Sequence, residues 1–444
     1  MKFATFITAL LTTFLVTSFN SHALTLKESF ELAQQGDPQI LAAQAEFDAA
    51  IENIPQARSA LLPSLRLDLF SGNSEKTNSN TTGDFISSLG AGSDIDNQGY
   101  QLSLTQSLYN HQYYKQLDQA KASVAQAAAY YSAQQQALLI RVADHYFKVL
   151  AADDNLHFAS AEKKAVAKQL QQTKKRFEVG LIAITDVKEA QAQYDITVAQ
   201  EIAAINQAAT SKEALQVIIN QTVGKLSALP ESIPLEVPAP NDINQWTATA
   251  QQRNLAIKAA GYALEAAQAG RNASRAGHYP SLSLEATQSN VALENSSSSA
   301  DTEDTTIRIN LSIPLYSGGL TSSKSRQAGF KLSQAAAELS LQKRLARQQT
   351  RSAFLGLKAA ISSVKALKQA LVSSQSAVEA TQAGFEVGTR TSVDVLNALR
   401  NQYRSEKDYA QTRYDYLLNM LKLKQAAGTL NNQDITVISQ WLNK

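Results

Sequence analysis

The chain has 444 residues, no cysteine, and 41 basic against 39 acidic residues for a net charge of +2. Disulfide frameworks and cysteine-based zinc sites are therefore impossible, and nothing in the charge balance points to nucleic acid. Beyond the first residues no uninterrupted apolar stretch reaches the ~20 residues a membrane-spanning helix needs.

Lys2 gives a positive start, and an apolar run follows from Phe3 through Phe19. Ser21-His22-Ala23 then offers small residues at the positions a signal peptidase reads. Residues 1–23 are predicted to be a secretory signal peptide, with the mature chain starting at Leu24. An exported chain without apolar helices that crosses a membrane must do so with strands.

The first predicted helix begins at Asp37, a capping residue, with Pro38 at its first position, and runs toward Leu62 with a bend near Pro55. Leu65, Leu67 and Leu69 alternate with polar residues, as do Leu102, Leu104 and Leu108, so two strands are expected. The segment between them, Gly72 to Asn97, is rich in Asn, Ser, Thr, Gly and Asp and reads as a surface loop. From Gln112 to Val179 there is neither proline nor glycine, and Ala, Gln, Lys and Leu dominate. That composition predicts one helix on the order of 100 Å long. A turn at Gly180 and a returning helix follow. Pro230, Pro234, Pro238 and Pro240 mark an extended linker.

The second half repeats the first at a spacing of about 210 residues. Arg176-Phe177-Glu178-Val179-Gly180 recurs as Gly384-Phe385-Glu386-Val387-Gly388, and Asp186-Val187 recurs as Asp394-Val395. Leu62-Pro63-Ser64-Leu65 matches Tyr279-Pro280-Ser281-Leu282, and Ser107-Leu108-Tyr109 matches Pro314-Leu315-Tyr316. Strands are expected at Leu282, Leu284, Ala286 and at Ile307, Ile309, Leu311, Ile313, with a loop from Asn290 to Thr306. A second very long helix is expected from Thr321 to Ala383, broken only by Gly329 and Gly356. The domains are a signal peptide (1–23), a first repeat (24–222), a Pro-rich linker (223–243), a second repeat (244–430) and a C-terminal segment (431–444). Tyr100, Tyr109 and Tyr316 sit near the expected strand ends, where an aromatic belt belongs.

Four strands cannot close a barrel, since known membrane barrels need at least about eight. An open edge in lipid is prohibitively costly, so spanning strands require an oligomer, and three chains would give twelve. A soluble four-stranded sheet is the alternative at this point. A second alternative for the whole chain is a periplasmic adaptor, a coiled-coil structural protein, although an adaptor would carry one long hairpin and not two.

Leu62-Pro63-Ser64-Leu65, Val179-Gly180-Leu181 through Thr185-Asp186-Val187, Ile313-Pro314-Leu315-Tyr316-Ser317-Gly318-Gly319, Val387-Gly388-Thr389-Arg390-Thr391-Ser392-Val393-Asp394-Val395-Leu396 and Ala427-Gly428-Thr429-Leu430 resemble the TolC family of outer-membrane factors. The resemblance covers essentially the whole mature chain. It implies a mainly α fold with a membrane β-barrel: a trimeric channel-tunnel, with a twelve-stranded barrel (four strands per chain) continuous with a twelve-helix periplasmic α-barrel. It implies that segments 223–243 and 431–444 are equatorial. It implies a passive exit duct in the Gram-negative outer membrane for multidrug efflux and type I protein secretion. The expected partners are two further copies of the chain, outer-membrane lipid, a periplasmic adaptor and an inner-membrane pump. No cofactor, metal or nucleic acid is expected.

Within this resemblance the two Val-Gly turns share the far tip. Thr185, Asp186, Thr391 and Asp394 start the returning helices as caps and first-turn acids. Arg390 is expected to bond Thr185 and Asp186 on an adjacent helix pair, and Asp394 to form a ring of three carboxylates. Phe385 stands where a tyrosine hydroxyl is usual in the family, and Asn397 where a second acidic ring is usual, which implies a lighter lock. Val179, Gly180, Leu181, Val387, Gly388 and Thr389 are the expected adaptor-docking tips.

Catalytic signatures are missing. Gly318-Gly319-Leu320-Thr321-Ser322-Ser323-Lys324-Ser325 follows a strand, but Ser323 stands where a phosphate loop needs glycine. His111, His145, His157 and His278 have no metal-ligand spacing, and no G-x-S-x-G elbow is present. The chain is not expected to be an enzyme.

Overall fold

The computed structural model describes residues 23–76, 93–295 and 298–442, so the expected signal peptide lies outside the described residues except for Ala23. The elements in chain order are α1 (Leu26–Gly36), α2 (Pro38–Ile51), α3 (Asn53–Ser59), β1 (Ser64–Lys76), β2 (Ser93–Asn110), α4 (His111–Glu178) and α5 (Ile184–Ile219). Then come α6 (Ile243–Arg253), α7 (Leu255–Ala276), β3 (Ser281–Asn295), β4 (Ser298–Ser312), α8 (Leu320–Glu386), α9 (Ser392–Ala426) and α10 (Asn432–Leu442).

α4 spans 68 residues and α8 spans 67. Each is on the order of 100 Å long. Gly329 and Gly356 do not interrupt α8, because a single glycine costs a helix only about 1 kcal/mol, and around Gly356 the buried seam persists. That seam is Ala346, Thr350, Phe354, Leu357, Ile361, Val364, Val378 and Phe385, all buried. Their spacing fits a 3.5-residue period, so α8 supercoils along its partners and does not pack as a globular helix.

Four other expectations change. The loop expected from Gly72 to Asn97 is strand at both described ends, β1 running to Lys76 and β2 starting at Ser93, and its middle lies outside the described residues. The helix from Asp37 breaks at Glu52, three residues before Pro55, near which the bend is expected, giving α2 and α3. Proline lacks the N–H for the carbonyl four residues back, and its ring crowds that carbonyl at Ile51. α1 was not foreseen, although Thr25 and Glu28 form a reciprocal capping box at its start. The Asn290–Thr306 segment is mostly strand, because β3 and β4 stay paired from Ser281↔Ser312 up to Asn295↔Ser298. Polar side chains interrupt the apolar pattern there, but the backbone ladder needs none.

The sheet is antiparallel in the order β1-β2-β3-β4. Register puts Leu65, Leu104, Ala286 and Ile307 in one row across it, with Leu67 and Leu102 in the next. Leu284 pairs with Ile309 and Leu282 with Leu311 on the same face. The opposite face carries Arg66, Asp68, Gln101, Glu285, Arg308 and Asp304. A bulge between Ser107 and Tyr109 makes Leu108 the extra residue, so Tyr109 rather than Leu108 pairs with Leu282 on the apolar face. Tyr100 lies within β2 beside Leu69, at the upper border of the apolar rows, and not at a strand end.

α4 packs near the sheet on α7 and, past its midpoint, on α5 and α9. The main core forms a belt halfway along the long helices. It gathers Leu138, Val142 and Tyr146 of α4, Leu215 and Ile219 of α5, Leu357 and Ile361 of α8, and Leu417 and Leu421 of α9, under α1, α10 and the linker. Each buried leucine or isoleucine there stabilises by about 1.5–3 kcal/mol. Tyr146 is fully buried and donates to the carbonyls of Leu24 and Ser227, both at 3.0 Å, which ties the start of the described chain to the linker. Asp37 is paired with Arg141 of α4. The linker is strapped across α9 by Tyr409, Arg413 and Tyr416, which bond Glu231, Pro230 and the Pro234–Glu236 backbone.

Candidate functional site

The ends of α4 and α8 are built alike. At each, the residue after the cap is a glycine in the left-handed region, Gly180 at φ 75° and Gly388 at φ 79°. Leu181 N–H donates to Arg176 and Gly180 N–H to Phe177, while Thr389 N–H donates to Gly384 and Gly388 N–H to Phe385. Both are Schellman turns, which satisfy the last helical carbonyls and aim the chain back on itself. Val179, Leu181 and Val387 are left 70–76% exposed, so three apolar side chains meet solvent at the tip.

The returning helices start differently. Thr391 caps α9: its hydroxyl accepts from Asp394 N–H at 3.2 Å, and its backbone N–H and hydroxyl donate to Asp394 Oδ2, both at 3.0 Å. These two bonds, the backbone one first, hold the Asp394 carboxyl below its usual range, with a smaller contribution from Arg390. α5 has Ala183 as its cap residue and no side-chain cap, so Thr185 and Asp186 lie inside the first turn. Thr185 is exposed and Asp186 half-buried. Arg390 is exposed and, among the described residues, its guanidinium has no hydrogen-bonded partner in its own chain. Its Cβ–Cγ stem lies over Gly384, where a side chain would collide with it. Asn397 accepts from Arg400 Nη2 at 2.7 Å on the same helix.

Phe385 is not at the surface. It is 3% exposed in a cluster with Val378, Val395 and Leu399. The guanidinium of Arg176 lies 4.1 Å from its ring centroid and donates to the Phe385 carbonyl at 2.8 Å, reaching the Glu386 carbonyl at 3.4 Å. One turn back, Thr173 and Ser392 hydroxyls lie 2.8 Å apart, and Gln169 Nε2 donates to Ser392 at 3.3 Å; all three side chains are buried. Arg176, Thr173, Gln169 and Ser392 were not among the sequence candidates. The only trace of Arg176 in the sequence is that it replaces Gly384 in the aligned repeat.

Above this junction an open groove of about 600 Å³ separates α4 and α5 from α9, lined by Glu162, Gln200, Ala204, Arg400, Tyr403 and Arg404. Burial pushes the Glu162 carboxyl up, and Arg400 opposes this. Further along the seam, burial raises Asp154 while the Tyr414 hydroxyl, donating at 2.8 Å, pulls it down.

A four-stranded antiparallel sheet with one apolar face, joined to two very long helical hairpins, defines a subunit of an oligomeric membrane channel. The profile of the "Outer membrane efflux protein" family matches residues 30–221 and 246–429. Over 421 residues the chain is 39% identical to the outer membrane protein TolC of Vibrio cholerae, covering 94% of this chain and 93% of that protein. It is 36% identical to Escherichia coli TolC, covering 96% and 86%. It is 28% identical to the alkaline protease secretion protein AprF of Pseudomonas aeruginosa, covering 95% and 88%. The fold matches the Campylobacter jejuni CmeC outer membrane channel with a TM-score of 0.78 at 16% identity, covering 94% of this chain and 89% of that one. The chain therefore belongs to the outer membrane efflux protein family. It is a passive outer-membrane exit duct for efflux and secretion, not an enzyme. Channels of this family are trimeric, so three chains supply the twelve strands and twelve helices of barrel and tunnel, the tunnel reaching into the periplasm.

Proposed function

We propose that the tip formed by the two Schellman turns is the gate of this duct, closed at rest and opened when a periplasmic adaptor and its inner-membrane pump engage it. Arg390 is the link to the neighbouring chain of the homotrimer, where Thr185 and Asp186 offer a hydroxyl and a carboxylate. The observation that carries this reading is that, among the described residues, the Arg390 guanidinium has no hydrogen-bonded partner in its own chain while standing at the tip. Asp394, kept ionised by its capping box, supplies one ring of three carboxylates and with it cation selectivity. Asn397 removes the second ring, so multivalent cations block this pore weakly. Val179, Gly180, Leu181, Val387, Gly388 and Thr389 form the docking tips. The two repeats, 24–222 and 244–430, supply one helical hairpin each, and the segments 223–243 and 431–444 form the equatorial girdle. Cargo spans small toxic molecules and secreted proteins, as the efflux and secretion relatives suggest.

The test is conductance of purified trimers in planar bilayers. Arg390→Ala raises the resting conductance, and an unaltered value overturns the gate role. Asn397→Asp strengthens block by multivalent cations, and unchanged block overturns the single-ring reading.

A further inference from the structure

The proposed Arg390 link joins neighbouring chains and leaves open what holds the two turns of one chain together. We propose that Arg176 is an intrachain latch of the resting gate, clamping the end of α8 to the end of α4, and that this latch must release when the tip opens. This proposal rests on the tip being the gate.

Three features of the geometry support it. Arg176 bridges the two tips within the chain, by stacking on Phe385 at 4.1 Å and by donating to the Phe385 carbonyl at 2.8 Å. The acceptors are the last carbonyls of α8, at the negative end of its dipole, where a guanidinium is favoured. No carboxylate is needed, so the latch depends on stacking and backbone geometry more than on ionic strength.

The second feature is reinforcement. Gln169, Thr173 and Arg176 stand at i, i+4 and i+7 on α4, one stripe facing α8 and α9. Gln169 and Thr173 bond Ser392 in a fully buried cluster at the start of α9. The stripe therefore grips both members of the second hairpin within about two and a half turns of the end of α4. Buried hydroxyls separated by opening must find new partners, so this junction favours two discrete arrangements over gradual drift.

The third is the broken symmetry of the repeat. Phe385 is 3% exposed under Arg176, while its counterpart Phe177 is 40% exposed. The counterpart of Arg176 is Gly384, which has no side chain to reach a phenylalanine on the next chain. Around the trimer, the tips of the two hairpins alternate. An Arg176 latch thus closes each boundary within a chain, and the boundary between chains is left to Arg390. Phe385, which has no hydroxyl to offer a lock, contributes through its ring and its carbonyl.

The experiment compares purified full-length trimers in planar bilayers, with trimer heat stability measured alongside. Arg176→Met raises the resting conductance about fivefold or more, the change expected when one modest coupling is lost. Arg176→Lys, which keeps the charge but loses the planar stack and fork, falls between Arg176→Met and the parent. Phe177→Leu leaves conductance unchanged, because that ring carries no guanidinium. A parental conductance for Arg176→Met, or an equal rise for Phe177→Leu, overturns the latch. If Arg176→Met does not assemble, Phe385→Leu is read in its place, with the same rise expected and a parental value refuting it. As a second measurement, Thr173→Cys with Ser392→Cys is oxidised in a chain that has no other cysteine. Export stops and returns on reduction; export through the oxidised channel overturns the release step. Arg390→Ala measured in parallel separates the two ideas, since a rise there with none for Arg176→Met removes the latch and leaves the gate standing.

Discussion

Gly388 offers the sharpest separation of backbone strain from partner docking. Its φ is 79°, and a Cβ built there meets no atom within 4 Å, so a side chain has room but the wrong backbone. Alanine in this region costs roughly 1–2 kcal/mol per residue, or about 3–6 kcal/mol over the three chains of a trimer. Asparagine tolerates the same conformation at much lower cost. The chain already does this at Asn220, which ends α5 at φ 52°. Strain alone therefore predicts that Gly388→Ala impairs export and Gly388→Asn spares it. If a partner packs against the bare glycine face, asparagine is the larger obstruction, and both variants fail. The assay is growth of a deletion strain, complemented by each variant, in detergent or dye, with heat-stable trimer quantified in the outer membrane. We expect both variants to lose export at normal trimer levels. Wild-type export by Gly388→Asn would refute close docking at this turn and reduce Gly388 to a helix terminator.

Tyr146→Phe leaves the Ser227 carbonyl without its buried donor, while the Leu24 carbonyl keeps the Ser227 N–H, costing about 1–3 kcal/mol per chain; limited proteolysis should cut near the linker faster than in the parent. Asp154 is raised by burial, so the folded chain binds its proton more tightly than the unfolded chain. Its ionisation penalty is thus present above the raised folded value and is lost as pH falls toward the ordinary 3.8. Asp154→Asn, which keeps an acceptor for Tyr414, should raise the denaturation midpoint at neutral pH and lose that advantage in acid; equal midpoints at neutral pH would contradict this. Ile309→Lys puts a charge on the lipid-facing surface, at roughly 2–4 kcal/mol per chain near mid-membrane. Asn310→Lys, on the opposite face, should assemble normally, and equal trimer yields for the two would refute the assigned faces.

How much of this was readable in advance depended on range. The long helices were legible because from Gln112 to Val179 nothing contradicts helix formation, and the strand faces because Ile307, Ile309 and Leu311 alternate without interruption. The break at Glu52 was readable in principle, since proline acts on the carbonyl four residues upstream. Leu108 was misassigned because a bulge is a property of two strands, and the partner lies on β3, more than a hundred residues away. The tip followed the same rule. Its glycines and capping box are local and were evident, whereas Arg176 meets Phe385 across 209 residues of chain. Which faces of two separate helices touch is decided by the supercoil, not by either segment.

The strand count is one argument that the chain cannot stand alone, and the helices supply an independent one. In the tunnel half the contacts run in a row, α5 on α4, α4 on α9 and α9 on α8, with no extensive contact between α5 and α8 among the described residues. Those two end helices carry exposed apolar residues: Ile196, Ile202, Ile205 and Val217 on α5, and Leu341, Leu355 and Val372 on α8. The sheet likewise ends in β1 and β4, each with one unpaired edge. Both rows are open at two unlike ends, which is the signature of a head-to-tail interface and not of a face-to-face dimer. A rotation that brings β4 of one chain beside β1 of the next also brings α8 beside α5. Sheet and tunnel therefore close through one operation, and a variant that disrupts either contact should prevent trimer formation by both.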